Sequence, residues 1–284
     1  MINSLDYLEI FILSDNSVSY GSRNILGEHG FSALIVSNKG GVLFDTGQTG
    51  IIVNNLEVLK RELIIRDIII SHGHYDHTGG LLKILMKMKY PCQIHSHSFI
   101  FNKRYKKAKG EMKDISNPFS MNELESIGAK FSFSSEPKTI GQWVLLTGTI
   151  ERKINFEKSY ETEFFIEINN EIKPDEFIDD QAIIFNVKNK GIIVITGCAH
   201  AGLINTLEYT RKIMDVEEIY GVIGGFHLNE ASKERVEKTI DYLKSYNLKL
   251  IIPCHCTGKD AMFLLKKEFG DIVKYGEAGL SIKI

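Results

Sequence analysis

The chain is poor in cysteine, with four in 284 residues. Those four, Cys92, Cys198, Cys254 and Cys256, do not make the framework of a small disulfide-stapled protein. No apolar run exceeds the length of a strand, so no membrane span is expected. The opening Met1-Ile2-Asn3-Ser4-Leu5-Asp6-Tyr7 has neither the basic start nor the apolar centre of a signal peptide. Neither charge is in excess: the formal net charge is −2, which leaves no electrostatic footprint for nucleic acid or an anionic membrane. Together these absences describe a reduced, cytoplasmic enzyme acting on a small molecule, its oligomeric state open. What is present is an ordinary interior, since 43% hydrophobic residues suffice to bury a core.

Strand-like and helix-like runs alternate, so the class is α+β or α/β with helices packed on sheets. Phe31 to Val36 and Val42 to Phe44 are β-rich runs, joined by the hairpin signal Ser37-Asn38-Lys39-Gly40-Gly41. Ile51 to Leu63 reads as a helix with Ile52, Leu56, Leu59 and Leu63 on one face. Ile68 to Ile70 is a buried strand. Thr78 is placed to cap a helix from Leu81 to Lys89, and Gly79-Gly80 would let the backbone approach an ion or anion.

An internal echo follows. Ala182-Ile183-Ile184-Phe185, Asn189-Lys190-Gly191 and Val194-Ile195-Thr196-Gly197 repeat the order strand, tight turn, strand, Thr-Gly loop seen at residues 33–47. Two halves, about 1–135 and 136–284, predict one domain: a four-layer αβ/βα sandwich in which two mixed β-sheets face each other and helices flank them. Two charge-rich stretches, about 101–114 and 151–180, fit neither half and read as lid-like insertions over the loop edge. The basic run in the first, with Lys103 and Arg104, is either a solvated charged helix or a phosphate contact.

Ser71-His72-Gly73-His74-Tyr75-Asp76-His77-Thr78 follows the apolar run directly. No folding requirement places three histidines and an aspartate in one short loop. Imidazole with carboxylate suits zinc, iron or manganese. His72 and His74 point the same way if the loop is extended, and Asp76 and His77 can reach a second ion. Three later strand-like runs also end in small residues and then a histidine: His200, His227 and His255. Strand ends of this kind are where such folds carry chemistry. His29, His95 and His97 lie in ordinary contexts and form the contrast set.

The pattern His72-x-His74-x-Asp76-His77, with the upstream Asp45-Thr46-Gly47 and the late His255, resembles the metallo-β-lactamase superfamily. The resemblance spans nearly the whole chain. It implies the αβ/βα sandwich and two divalent metal ions, zinc first, with iron or manganese also fitting. His72 and His74 would bind one ion, Asp76 and His77 the other, and His255 would complete the second site. Segments 196–202, 224–228 and 253–258 are similar to a narrower branch, the dihydropterin-ribofuranosylaminobenzene-phosphate synthase-like proteins. Thr147-Gly148-Thr149-Ile150-Glu151-Arg152 is similar to a further segment of that branch but departs from it at two positions. One more departure matters: a bridging aspartate is usual where this chain has Cys198. His200 then becomes the candidate for a missing nitrogen ligand. Cys198 is either a thiolate ligand or a small buried residue, and Asp180 either a carboxylate ligand or a turn cap.

The resemblance implies a metal-dependent hydrolase whose site activates water against an ester, lactone or phosphoester-type substrate. Asp76 would orient the nucleophile or shuttle its proton. Asp45 would steer a ligand histidine through its other ring nitrogen. His227 is either an acid or substrate contact, or a satisfied histidine beneath the site. The alternative is a synthase joining a pterin to an aryl ribose phosphate, with Arg152, Lys103 and Arg104 holding phosphate. A di-iron redox protein and a catalytically silent metabolite-binding protein are further readings.

Overall fold

Alternation along each strand decides which way its side chains point, and it divides the apolar residues of this chain among three layers. In the computed structural model, which describes residues 2–61, 65–88, 90–157 and 162–284, the hairpin Ser32–Ser37/Gly40–Phe44 turns Ala33, Ile35, Val42 and Phe44 to the centre. It turns Leu34, Val36 and Leu43 outward against Ile52, Leu56, Leu81 and Ile84 of the helices Ile52–Leu59 and Leu81–Met88. The hairpin Ala182–Val187/Gly191–Thr196 does the same from the opposite side. Ile183, Phe185, Ile193 and Ile195 meet the centre, and Ile184, Ile192 and Val194 meet the helices Leu203–Met214, Lys233–Lys244 and Lys259–Phe269. The result is helix, sheet, sheet, helix. Burying each large side chain of the central layer contributes about 1.5–3 kcal/mol.

The first sheet has seven strands in the order Ser281–Lys283, Leu8–Ser14, Ser32–Ser37, Gly40–Phe44, Ile65–Ile69, Cys92–Ser96, Ala129–Phe133. The second has six: Leu250–Cys254, Ile219–Gly225, Gly191–Thr196, Ala182–Val187, Val144–Leu146, Lys138–Ile140. Both are mixed. In each, a hairpin leads into parallel strands, and the C-terminal ends of those strands lie at one rim. No helix among the described residues is long and apolar enough to cross a membrane.

The two charge-rich stretches form strands that pair with each other. Arg104–Ala108 and Glu111–Asp114 join Phe164–Ile168 and Glu171–Pro174 in a third, four-stranded sheet. The charged-helix alternative for the basic run is therefore wrong; the run is a two-stranded ribbon that turns at Lys109-Gly110. Three local expectations also change. The helix after Gly50 stops at Leu59, with Lys60 in the left-handed conformation; its expected end at Leu63, like Lys89 of the next helix, lies outside the described residues. Thr78 does not stand at the start of the following helix: it ends the short helix Tyr75–Thr78, where its hydroxyl donates to His74 O at 2.9 Å. Gly79 and Gly80 approach backbone rather than an ion: a Cβ at Gly79 would lie 1.9 Å from Gln48 O, and one at Gly80 2.0 Å from Thr46 O.

Candidate metal centre

The loop after Ile65–Ile69 is held open by its neighbours before it holds anything itself. Asp45 ends its strand in the left-handed region at φ 57°, which turns its carboxylate under the loop. One oxygen accepts from Ser71 N at 2.7 Å, and the other accepts from Ser71 Oγ at 2.7 Å and faces His77 Nδ1 at 2.6 Å. With Nδ1 donating to Asp45, Nε2 of His77 points at the opposite wall, 3.1 Å from Cys198 Sγ. Gly197 leaves room for the hydrogen bond between Ser71 and Asp45, since a Cβ there would lie 2.1 Å from Ser71 Oγ and 2.9 Å from Asp45 Oδ2.

The predicted ligands converge. Nitrogens of His72, His74 and His200 lie within 4.8 Å of one another, and so do ligand atoms of His72, His77 and Cys198. His72 Nε2 faces His74 Nδ1 at 3.0 Å. Asp76 Oδ2 lies 3.1 Å from His255 Nε2, and His255 Nδ1 lies 2.8 Å from Asn16 Oδ1. With Nδ1 donating to Asn16, Nε2 of His255 is the ring nitrogen turned toward Asp76. His227 stands beside His200 with ring centres 4.2 Å apart. Besides Asp45, three non-glycine residues of the candidate ligand loops sit in the left-handed region: Ala199 at 55°, His227 at 48° and His255 at 46°. Such backbone costs on the order of 1–3 kcal/mol each, and here all four positions border one site.

The electrostatics favour a cation. Burial, followed by neighbouring imidazoles, holds His72 and His74 well below the usual histidine range, so both are neutral. Burial opposes charge on His77 too, yet the Asp45 and Asp76 carboxylates raise it to about 9, so a cation held at Nε2 would take the place of a proton. Burial works to raise Asp76, but His77 and the bonds to His255 and His29 hold it well below the usual carboxylate range. His74 Nε2 is buried with no hydrogen-bond partner, a cost of about 1–3 kcal/mol unless something accepts its lone pair. Neutral imidazoles, an ionised carboxylate and an orphaned ring nitrogen fit a divalent ion.

Several expected residues sit elsewhere. Arg104 is not available to a phosphate: it is fully buried and pairs with Asp175 at 2.8 Å and Asp179 at 2.7 Å. Asp179 also accepts from Gly73 N at 2.9 Å, tying the third sheet to the motif loop. Lys103 is exposed and Arg152 donates to Glu176 O at 2.6 Å; neither is among the described residues lining the cavity. Lys106 is, lying 5.0 Å above the Phe164 ring and 2.8 Å from Glu230. Asp180 caps the Cys198–Gly202 turn by accepting from Ala201 N at 2.8 Å, and burial raises it to about 7.

From the contrast set, His95 pairs with Asp67 at 2.9 Å and His97 accepts from Phe99 N at 3.1 Å, both structural. His29 differs. Its Nε2 lies 3.2 Å from Asp76, and with Asp76 and His255 it forms another group within 4.8 Å. Asp15 and Asn16 were also missed; Asp15 accepts from His255 N at 2.6 Å. Their signal was available, because they follow the strand Leu8–Ser14 just as the ligand loops follow theirs. The cavity over the site holds about 480 Å³ and is walled by Phe164, Lys106, His227, Asn229 and Cys256 among others.

Residues 26–129 match the model of the metallo-beta-lactamase superfamily. The chain is 31% identical over 291 positions to the 7,8-dihydropterin-6-methyl-4-(beta-D-ribofuranosyl)-aminobenzene-5'-phosphate synthase of Methanocaldococcus jannaschii, covering 99% of this chain and 98% of that one. It is 35% identical over 278 positions to MJ0448, an uncharacterized protein of the same organism, covering 97% and 100%. Among solved structures, that of Tm1679, a metal-dependent hydrolase of the beta-lactamase superfamily, superposes with a TM-score of 0.82 at 31% identity, covering 98% and 99%.

Proposed function

This chain belongs to the metallo-beta-lactamase superfamily, and from that premise we propose that it is a metal-dependent hydrolase of a small ester, lactone or phosphoester. The observation that carries the reading is the convergence of His72, His74 and His200 beside Asp76, His77 and His255 under a cavity of about 480 Å³. His72, His74 and His200 would hold one ion. Asp76, His77, His255 and Cys198 would hold a second. Bound divalent ions would supply Lewis acidity and lower the pKa of a water toward roughly 7.

The chain's own residues do the rest. Asp45 and Ser71 fix the tautomers of His77 and His72, so the lone pairs face inward. Asp76 orients the attacking water through its ionised carboxylate. His227, half-buried on the cavity wall, offers a proton to the leaving oxygen. Phe164, stacked at 5.8 Å on His74, keeps bulk water from the imidazoles. Lys106 is placed for an anionic substituent at the mouth of the cavity.

A second reading is a synthase joining a dihydropterin to an aryl ribose phosphate, favoured by the near full-length likeness to the protein named for that product. Elemental analysis of protein purified without added metal, followed by ester, lactone and phosphodiester panels, tests the first reading. Incubation with a pterin pyrophosphate and an aryl ribose phosphate tests the second. Pyrophosphate released only when both are present selects the synthase. Hydrolysis of a single substrate selects the hydrolase, and a metal-free protein that keeps full turnover refutes both.

A further inference from the structure

We propose that Cys256 is a cation ligand, and that with Cys198 and His255 it forms a sulfur-bearing position that takes a thiophilic divalent ion such as zinc or cadmium. The proposal rests on the metal-dependent reading above and adds to it a ligand that lies outside the histidine motif. A nitrogen of His255 and the sulfurs of Cys198 and Cys256 lie within 4.8 Å of one another. Two thiolates on one tetrahedral ion, with bonds of about 2.3 Å, stand roughly 3.8 Å apart, so the three donors need little movement to close on a shared ion. Cys198 also belongs to a group with His72 and His77 and to another with His200 and His227. It is the donor common to both sides of the site.

The backbone is shaped to present this thiol. In an extended strand, neighbouring side chains point to opposite faces. Cys254 obeys that rule and is buried in the central core. His255 breaks it: its left-handed φ of 46° starts a 3₁₀ turn over His255–Thr257, and both His255 and Cys256 then line the cavity. Gly225 supplies the room. A Cβ there would lie 2.6 Å from Cys256 Sγ and 2.4 Å from Gly197 O. The plain alternative is that Cys256 fills space as a small apolar residue. Cys92 and Cys254 do so and are fully buried, whereas Cys256 opens onto the cavity, with its sulfur 3.6 Å from Cys198 O and hydrogen-bonded to the side chains of Cys198 and His227. Two thiolates with an imidazole favour zinc or cadmium over magnesium or manganese, and their binding releases protons.

Cobalt(II) loading of the metal-stripped full-length chain, without oxygen, tests the proposal. The native protein should show visible bands of bound cobalt and near-ultraviolet thiolate-to-cobalt charge transfer. Cys256→Ser should keep the visible bands, lose roughly half of the charge-transfer intensity and bind about 10-fold or more weakly. Cys92→Ser should match the native protein. A Cys256→Ser spectrum and affinity equal to native overturns the inference while leaving the metal-dependent reading intact; no cobalt binding by the native protein overturns both. Should Cys256→Ser fail to fold, alkylation of the native chain decides. Cadmium should protect Cys256 from iodoacetamide, and equal labelling of Cys256 with and without cadmium overturns the inference.

Discussion

Removing the guanidinium of Arg104 should loosen both the sheet above the cavity and the loop that carries the motif. Arg104 is fully buried between Asp175 and Asp179, at 2.8 and 2.7 Å. Asp179 passes the constraint on, because its other oxygen holds the amide of Gly73, between His72 and His74. Arg104→Met keeps much of the stem and deletes the charge, leaving two carboxylates buried without their cation. Breaking a buried pair from one side costs about 3–5 kcal/mol, or roughly two to four powers of ten in the opening equilibrium. Hydrogen exchange read on peptides covering 71–76 and 164–179 should therefore accelerate strongly, with a lower urea midpoint. The central layer around Phe185 and Ile195 should exchange much as before. An Arg104→Met protein that exchanges like the native chain but binds phosphorylated substrates less tightly would refute this reasoning and return Arg104 to a substrate role.

Four shorter predictions follow from the same geometry. His74→Ala should abolish both bound metal and turnover, measured by elemental analysis beside an activity assay. Asp45→Asn, which removes the charge at His77 Nδ1, should weaken metal binding by about 10- to 100-fold, checked by competition with a chromophoric chelator. Gly197→Ala places a Cβ 2.1 Å from Ser71 Oγ and should cost about 1–3 kcal/mol, checked by urea denaturation. Asp180 is raised by burial from its ordinary 3.8 to about 7, so the folded chain binds this proton more tightly than the unfolded chain. Its contribution to stability is fully present below pH 3.8 and is lost as pH rises through about 7. Asp180→Asn should flatten that decline in metal-stripped protein, and an unchanged pH profile would refute it.

The layered fold was legible because strand alternation is local: Leu34 and Ile35 already declare opposite faces. His72, His74, Asp76 and His77 were legible because their spacing has no structural purpose. What the sequence hid depends on distant partners. Arg104 reads as one more member of a basic run until Asp175, 71 residues on, closes over it. His255 gains its tautomer from Asn16, 239 residues away, and nothing near either residue reveals the other. His29 looks like any loop histidine until Asp76 stands 3.2 Å from it. Gly79 and Gly80 were correctly read as points of close approach, but the approaching group is the Gln48 and Thr46 backbone.

The third sheet draws its strands from two segments far apart in the chain, with Arg104 buried between them and the motif loop. Its strands carry Lys106 and Phe164 onto the cavity wall, so it roofs the imidazoles and frames the mouth through which small molecules arrive. A segment that supplies no candidate ligand thereby shapes what reaches the site.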